Sequence, residues 1–458
     1  MTSMQRETRT MRTSARALIL VAGLVAAPVW SGMAQGSAPP EPDGYSKYWP
    51  GACVQAMSRS RSFYWRARQD TALYTSARDT LLDDVRRVAR DCKERFGATT
   101  ASLTGHDLIP LAEVLLATGD DAGAKAAVDR RLAEPDLKPV GVRAWTLAQV
   151  VNIFLDTRPA RVDVARGYLR QLDALKGADA APGQLRGWYA LADYYEHVAD
   201  DSAMVAASEE AIKAGKRLND HDRKEFAGTI FNAYRNIAEA EADRTGDAAA
   251  PRKVLARAST DIGKLPRMAG SIAAWDTLYS RYGKKGATVL ADVWISAQND
   301  TLFPKAGKLT VLNFRPSRWN IPATRRLARQ AGDSLDVALV YSTVGYFRGL
   351  GPLTAAAEVP EVRKYFFDEL KINSSLAINE TKYKRLPDGR RMPEPNVNDK
   401  AYRTGMGVSI VVLDREGIVR RIWTYWSNAY EPRIVATLKK YSQAATSSTS
   451  GSSEGRHE

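Results

Sequence analysis

Two rhythms of apolar and polar residues divide this chain. From Gly51 to about Tyr282 apolar residues recur at spacings of three and four, the period of amphipathic helices. Breaks rich in Gly, Asp and Pro interrupt them in series: "LLATGDDAGAKAAV", "FLDTRPARVDVA", "HVADDSAMVAAS" and "DRTGDAAAPRKVL". With Asp120, Asp156, Asp200 and Asp247 as markers the intervals are 36, 44 and 47 residues, and each unit reads as two helices around a short turn. Ala112, Leu115 and Leu116 before the first break, and Ala127, Val128 and Leu132 after it, form the facing apolar stripes.

From Gly286 the pattern predicts short strands alternating with helices. "ATVLADVWISAQNDTLFPKAG" predicts a hairpin turning at Asn299-Asp300. There follow "KLTVLNF" (strand), "IPATRRLARQAG" (helix), "LDVALVYST" (strand), "VPEVRKYFFDEL" (helix), "SSLAIN" (strand), "GVSIVVLDREGIVRRIWTYW" (hairpin) and "EPRIVATLKKY" (helix). That order predicts an α/β sandwich around a mixed sheet. The expected class is therefore α + α/β, an irregular α-solenoid followed by an α/β domain. The expected segments are 1–34, a leader; 35–50, a Pro-rich linker; 51–283, helical; 284–441, α/β; and 442–458, a low-complexity disordered tail.

The leader alters the chemistry expected of the rest. Four arginines precede an apolar run from Ala17 to Val29, and small residues follow with Gly32 and Ala34 at a cleavage-like position. This is the layout of a secretory signal peptide, with a retained N-terminal anchor as the alternative. The mature chain is expected outside the cytoplasm, periplasmic or extracellular, with no later transmembrane segment. An oxidising compartment lets Cys53 and Cys92, the only two cysteines, persist as a disulfide. They are expected to face each other at the open end of a helical hairpin turning near Thr75, with Leu81, Val85, Val88 and Cys92 on one face. The formal charge of +14 is uneven: residues 284–441 hold 26 Lys/Arg against 15 Asp/Glu, leaving the helical middle near neutral. A basic C-terminal half suits an anionic ligand, a lipid surface or an acidic protein.

The unit "LAEVLLATGDDAGAKAAVDRRLAEPD", with its small residues, Gly-Asp turn and closing proline, resembles a tetratricopeptide (TPR) repeat, although later units are longer than that family's period. The resemblance implies a concave face for proteins or peptides, for which Trp188, Tyr189, Tyr194 and Tyr195 are candidates, with helix-core packing as the alternative. The region 286–441 resembles the exported TlpA/ResA-type branch of thioredoxin-like proteins, on "GKLTVLNF" and on "AYRTGMGVSIVVLDREGIVRRI" with its Asp/Glu-Gly turn. Against that family's N-F-W-A-x-W-C-x-x-C, the chain runs from Asn313 and Phe314 to Trp319, Asn320, Ile321 and Pro322, with Trp319 and Pro322 at the cysteine positions. Val408 stands where the family has its cis-proline. In a second register "FRPSRWNIPA" is similar to the peroxiredoxin loop, with Asn320 for its threonine and Ala323 for its cysteine. No cysteine occurs after Cys92, and disulfide exchange and peroxide reduction both need an attacking thiolate.

Other catalytic signals are lacking in the sequence. His106, His197, His221 and His457 are scattered without metal-ligand spacing, and no P-loop, G-x-S-x-G or dinucleotide fingerprint occurs. No metal or cofactor is expected. Around the degenerate loop Arg315, Arg318, Arg325, Arg326 and Arg329 precede or enter a helix and are candidates for binding an anion or a partner, or else form its wet face. The basic loop "ETKYKRLPDGRRMPEPNVNDKAY" is longer than the resemblance requires. The expected role is a redox-inactive binding or scaffold protein whose partner is another envelope protein or a peptide, not nucleic acid. The alternatives are a thiol–disulfide or cytochrome-maturation factor using a partner's cysteines or Cys53/Cys92, and a structural subunit of an envelope assembly.

Overall fold

The computed structural model describes residues 53–54, 85–94 and most of 103–441, excluding 158, 296–302, 306, 315, 317–320, 322–334, 344–346, 348–349, 352, 373, 386–390, 395, 403–409 and 425–432. Helices come first: α1 (Leu108–Ala117), α2 (Asp121–Ala133), α3 (Val140–Asp156), α4 (Val162–Ala174), α5 (Ala181–Val198), α6 (Asp201–Lys216), α7 (Asp220–Glu225), α8 (Ala227–Thr245), α9 (Ala249–Ile262) and α10 (Met268–Tyr279). Consecutive helices pack as α1 on α2, α3 on α4, α5 on α6 and α8 on α9, and the pairs stack through α3 on α5 and α6 on α8.

Three of the four aspartate markers start helices. Asp120 Oδ1 accepts the Gly123 N–H at 2.9 Å, Asp200 Oδ1 accepts that of Ala203 at 3.0 Å, and Asp247 Oδ1 accepts that of Ala249 at 2.8 Å. Each satisfies an amide that the first turn leaves without a helical partner. Asp156 instead ends α3. The six stripe residues around the first break are all buried. Close stacking depends on small residues: a Cβ on Gly183 would lie 2.5 Å from the Ala144 carbonyl, so only glycine lets α5 approach α3 this closely.

The second half is built on a mixed six-stranded sheet of order β1-β4-β3-β2-β7-β8. Its strands are β1 (Val293–Ile295), β2 (Leu309–Asn313), β3 (Leu335–Ser342), β4 (Ser375–Asn379), β7 (Ile410–Leu413) and β8 (Val419–Trp423). β2, β3 and β4 run parallel, while β1, β7 and β8 join antiparallel to their neighbours. The β7–β8 turn is the one predicted at "DREG": Asp414 Oδ1 accepts from Glu416 N and Ile418 N, and Gly417 supplies a φ of +75°. Helix α11 (Ala355–Arg363) precedes β4, and a helix at residues 433–441, α13 here, closes the described chain.

Two features differ from the expected layout. Val293 to Ile295 pair with β4, so this strand forms the sheet's edge. The Val289 N–H does bond the Phe303 carbonyl at 2.8 Å, which returns the chain on itself, but the Asn299-Asp300 turn lies outside the described residues. The long basic loop forms a second hairpin, β5 (Tyr383–Arg385) with β6 (Arg391–Pro393), followed by α12 (Val397–Tyr402).

The core explains how the halves fit. Leu312, Ala338, Val340, Val411 and Leu413, on one face of the sheet, belong to the same apolar cluster as Ile230, Tyr234, Leu255 and Leu278 of the helices. On the opposite face Val311, Val337, Leu339 and Val412 pack with Val362 and Phe366, and with Ile434 and Leu438 of α13. The period-two alternation thus sends one set of side chains toward the helical array and the other toward the sheet's own helices. The helical half supplies one layer of the α/β sandwich.

Candidate functional site

Each cysteine is spent on packing. Cys53 and Cys92 form a disulfide, both sulfurs are buried, and Cys92 lies on the helix at residues 85–94 with Val85 and Ala89 on its inner side. Val88 is half-buried there, while Leu81 and the turn near Thr75 fall outside the described residues. Lys93 fixes this helix to the start of α2 by an ion pair with Asp120 at 2.7 Å, and this holds the Asp120 carboxyl below its usual range.

Of the degenerate loop, Asn313 ends β2 fully buried, the Phe314 ring lies 4.9 Å from that of Tyr402, and Ile321 is buried beneath the sheet. Trp319, Asn320, Pro322, Ala323 and Val408 lie outside the described residues, as do Arg315, Arg318, Arg325, Arg326 and Arg329.

A cluster of charge that the sequence analysis did not single out sits where the halves meet. Helix α8 carries Arg235, Glu239 and Asp243 at four-residue spacing, hence on one face. Arg421 of β8 is 0% exposed; its Nε lies 2.9 Å from Asp243 Oδ1, and its Nη1 donates to the Glu239 carbonyl at 3.1 Å. Arg433 of α13 pairs with Asp201 at the start of α6 and approaches Glu239 Oε2 at 3.9 Å, and Arg235 Nε lies 3.6 Å from Glu239 Oε1. Three guanidinium groups thus face two largely buried carboxylates, Glu239 and Asp243, and the partly exposed Asp201 at the rim, as buried charge requires partners.

Burial pushes the Asp243 carboxyl up to about 6, against the opposing pull of Arg421 and Arg433. Buried Tyr282 clasps β8, its hydroxyl accepting from Ile422 N at 2.8 Å and donating to Ile422 O at 3.2 Å, and burial pushes it up to about 12. Lys440 of α13 caps the end of α8, donating to the Asp243 and Arg244 carbonyls at 2.8 and 3.0 Å. Arg421 admits no solvent, so this cluster joins elements instead of meeting a substrate. A sequence signal for it existed: Arg421 alternates inward with Val419 and Trp423, and "YRNIAEAEAD" places charges every fourth residue among small apolar ones.

The candidate aromatics of the helical half divide. Tyr195 is buried and receives a hydrogen bond from Arg166, while Tyr194 meets it edge-on with ring centres 5.5 Å apart. Trp188 and Tyr189 are partly buried against the shared core, and Trp188 Nε1 donates to Asp173 at 2.9 Å. Beside them the outer surface of α5 carries Asp193 and His197. His197 Nδ1–H donates to the Asp193 carbonyl at 2.6 Å. Although its side chain is half-exposed, the Asp193 carboxyl is pushed up to about 6, chiefly by desolvation, with His197 opposing and Glu196 and Asp156 adding to the rise. His221, Asp222 and Glu225 meet on one solvent-facing turn with ligand atoms within 4.8 Å, where Asp222 Oδ2 already accepts from Asn219 at 2.8 Å.

None of the family models and none of the curated proteins compared with this chain matches it.

Proposed function

We propose that this is an exported, redox-inactive binding or scaffold protein, with TPR-like helices joined to a thioredoxin-like half. The observation that carries the proposal is the use of both cysteines in a buried disulfide of the helical half, in a chain with no other sulfur nucleophile. The parallel β2–β3–β4 core followed by the β7–β8 hairpin and α13 is the order implied by the resemblance and supports the fold reading. Stacked helical pairs that carry exposed Asp156 at the end of α3 and half-exposed Asp193 on α5 support a face for a basic segment of another envelope protein.

Charge reversal at that face is the test. The full chain and an Asp156→Lys/Asp193→Lys variant are used to capture partners from the envelope, and the captured protein is purified and titrated by calorimetry. Binding to the wild type with at least tenfold weakening in the variant supports the proposal. Equal affinity for both chains removes the helical face from it.

A further inference from the structure

The outer surface of α5 pairs a carboxylate with an imidazole one helical turn later. The Asp193 and His197 side chains are 48% and 37% exposed, so both reach solvent, and His197 Nδ1 lies 3.5 Å from Asp193 Oδ2. The ring is held there by the backbone: its Nδ1–H donates to the Asp193 carbonyl at 2.6 Å, which leaves Nε2 to take up a proton. Protonation therefore sets a cation beside the carboxylate without moving the ring. Residues four apart on a helix are surface neighbours, the spacing at which such a pair acts.

The surrounding groups do not cancel this change of charge. Asp156 at the end of α3 adds negative charge to the same face, and its Oδ2 accepts from Asn152 at 3.0 Å. On α5 itself Glu196 is buried, and the Tyr195 hydroxyl accepts from Arg166 of α4. Arg235 of α8, whose charge also draws on Asp193, is buried and lies 3.6 Å from Glu239. Imidazoles change charge between about pH 5 and 8. The Asp193 carboxyl, raised to about 6, gives up its charge within that range as well. Either proton takes negative charge from the face, so both act in one direction.

We propose that the Asp193–His197 pair is an acid-operated switch that releases a basic segment of a partner docked on this face. A lysine or arginine of the partner and the protonated His197 compete for one carboxylate, and a proton on Asp193 removes the attraction altogether. The switch presupposes the basic-segment face proposed above and sets the conditions under which that segment is held. Ordinary aspartates keep their charge down to about pH 4. Release at a higher pH is therefore the signature of this pair.

The test is calorimetric titration of the full chain with a decalysine peptide, whose own charge is constant below about pH 9. Wild type, Asp156→Lys/Asp193→Lys and Asp193→Asn/His197→Gln are each titrated at pH 7.5 and pH 5.5 at one ionic strength, and circular dichroism verifies the fold. Wild type is expected to bind about fivefold or more weakly at pH 5.5 than at pH 7.5, the worth of one partly exposed ion pair. Asp193→Asn/His197→Gln is expected to bind weakly at both, with less than about a twofold change. If charge reversal leaves binding at pH 7.5 unchanged, the face does not hold a basic segment and the switch falls with it. If charge reversal weakens binding but wild type binds equally at both pH values, or Asp193→Asn/His197→Gln keeps the wild-type fall, the switch alone is overturned.

Discussion

Asp243 shows how burial turns one carboxyl into a pH-dependent contribution to stability. Its value of about 6 lies above the ordinary 3.8, so the folded chain keeps a proton between those values that the unfolded chain has released. The group's contribution therefore rises as pH falls through 6 and is complete below about 4. Two pH units correspond to roughly 3 kcal/mol. Asp243→Asn removes this term. Urea unfolding of both proteins is expected to show the wild type gaining about that much relative to the variant between pH 7 and pH 4, while a constant difference would contradict the assignment. Single residues were unevenly legible in the sequence. The breaks marked by Asp120, Asp200 and Asp247 were legible from local turn residues, while their capping of the following helices emerges only from the structure. The partners of Arg421 were not legible, because Glu239 lies 182 residues away and no local pattern records such a pairing.

At the scale of elements, the helical array depends on caps, a close approach and a covalent link. Asp200→Ala is expected to lower stability by about 1 kcal/mol, the usual worth of an N-cap. Gly183→Ala is expected to cost about 1–3 kcal/mol, because its Cβ would press on the Ala144 carbonyl and force α5 away from α3. Loss of the disulfide in Cys53→Ala/Cys92→Ala, which spans 39 residues, is expected to cost about 4 kcal/mol. Thermal and denaturant melts measure all three. The described helices and strands and the "DREG" turn were legible because period and turn residues are local properties, while the helix expected at "IPATRRLARQAG" lies, Ile321 apart, outside the described residues. The pairing of β1 with β4 was not legible, since a three-residue apolar run does not name its neighbour. The β5–β6 hairpin was present in the sequence as Pro-Asp-Gly between basic residues, without the apolar alternation that marks a half-buried strand.

Over the whole molecule, the apolar face shared by sheet and helices and the ion cluster beside it make the two halves dependent on each other. Circular dichroism of the helices and tryptophan fluorescence are expected to report one common unfolding transition. Arg421→Met leaves Asp243 and Glu239 facing fewer cations, and breaking such a buried pair costs about 3–5 kcal/mol. The variant is expected to melt earlier through that same single transition; two separated transitions would show that the halves fold independently. A change of rhythm near Gly286 marked the boundary between the halves in the sequence, but nothing local to either half recorded the core they share. Joined in this way, the helices and sheet present fixed surfaces, and the cysteines hold one end of the array together. The proposed role is binding without thiol exchange. Its most direct test is turnover of insulin disulfides with dithiothreitol, and of a hydroperoxide, by the full chain and by Cys53→Ala/Cys92→Ala. Neither protein is expected to exceed the uncatalysed rate, whereas turnover by the wild type that disappears in the variant would contradict the account.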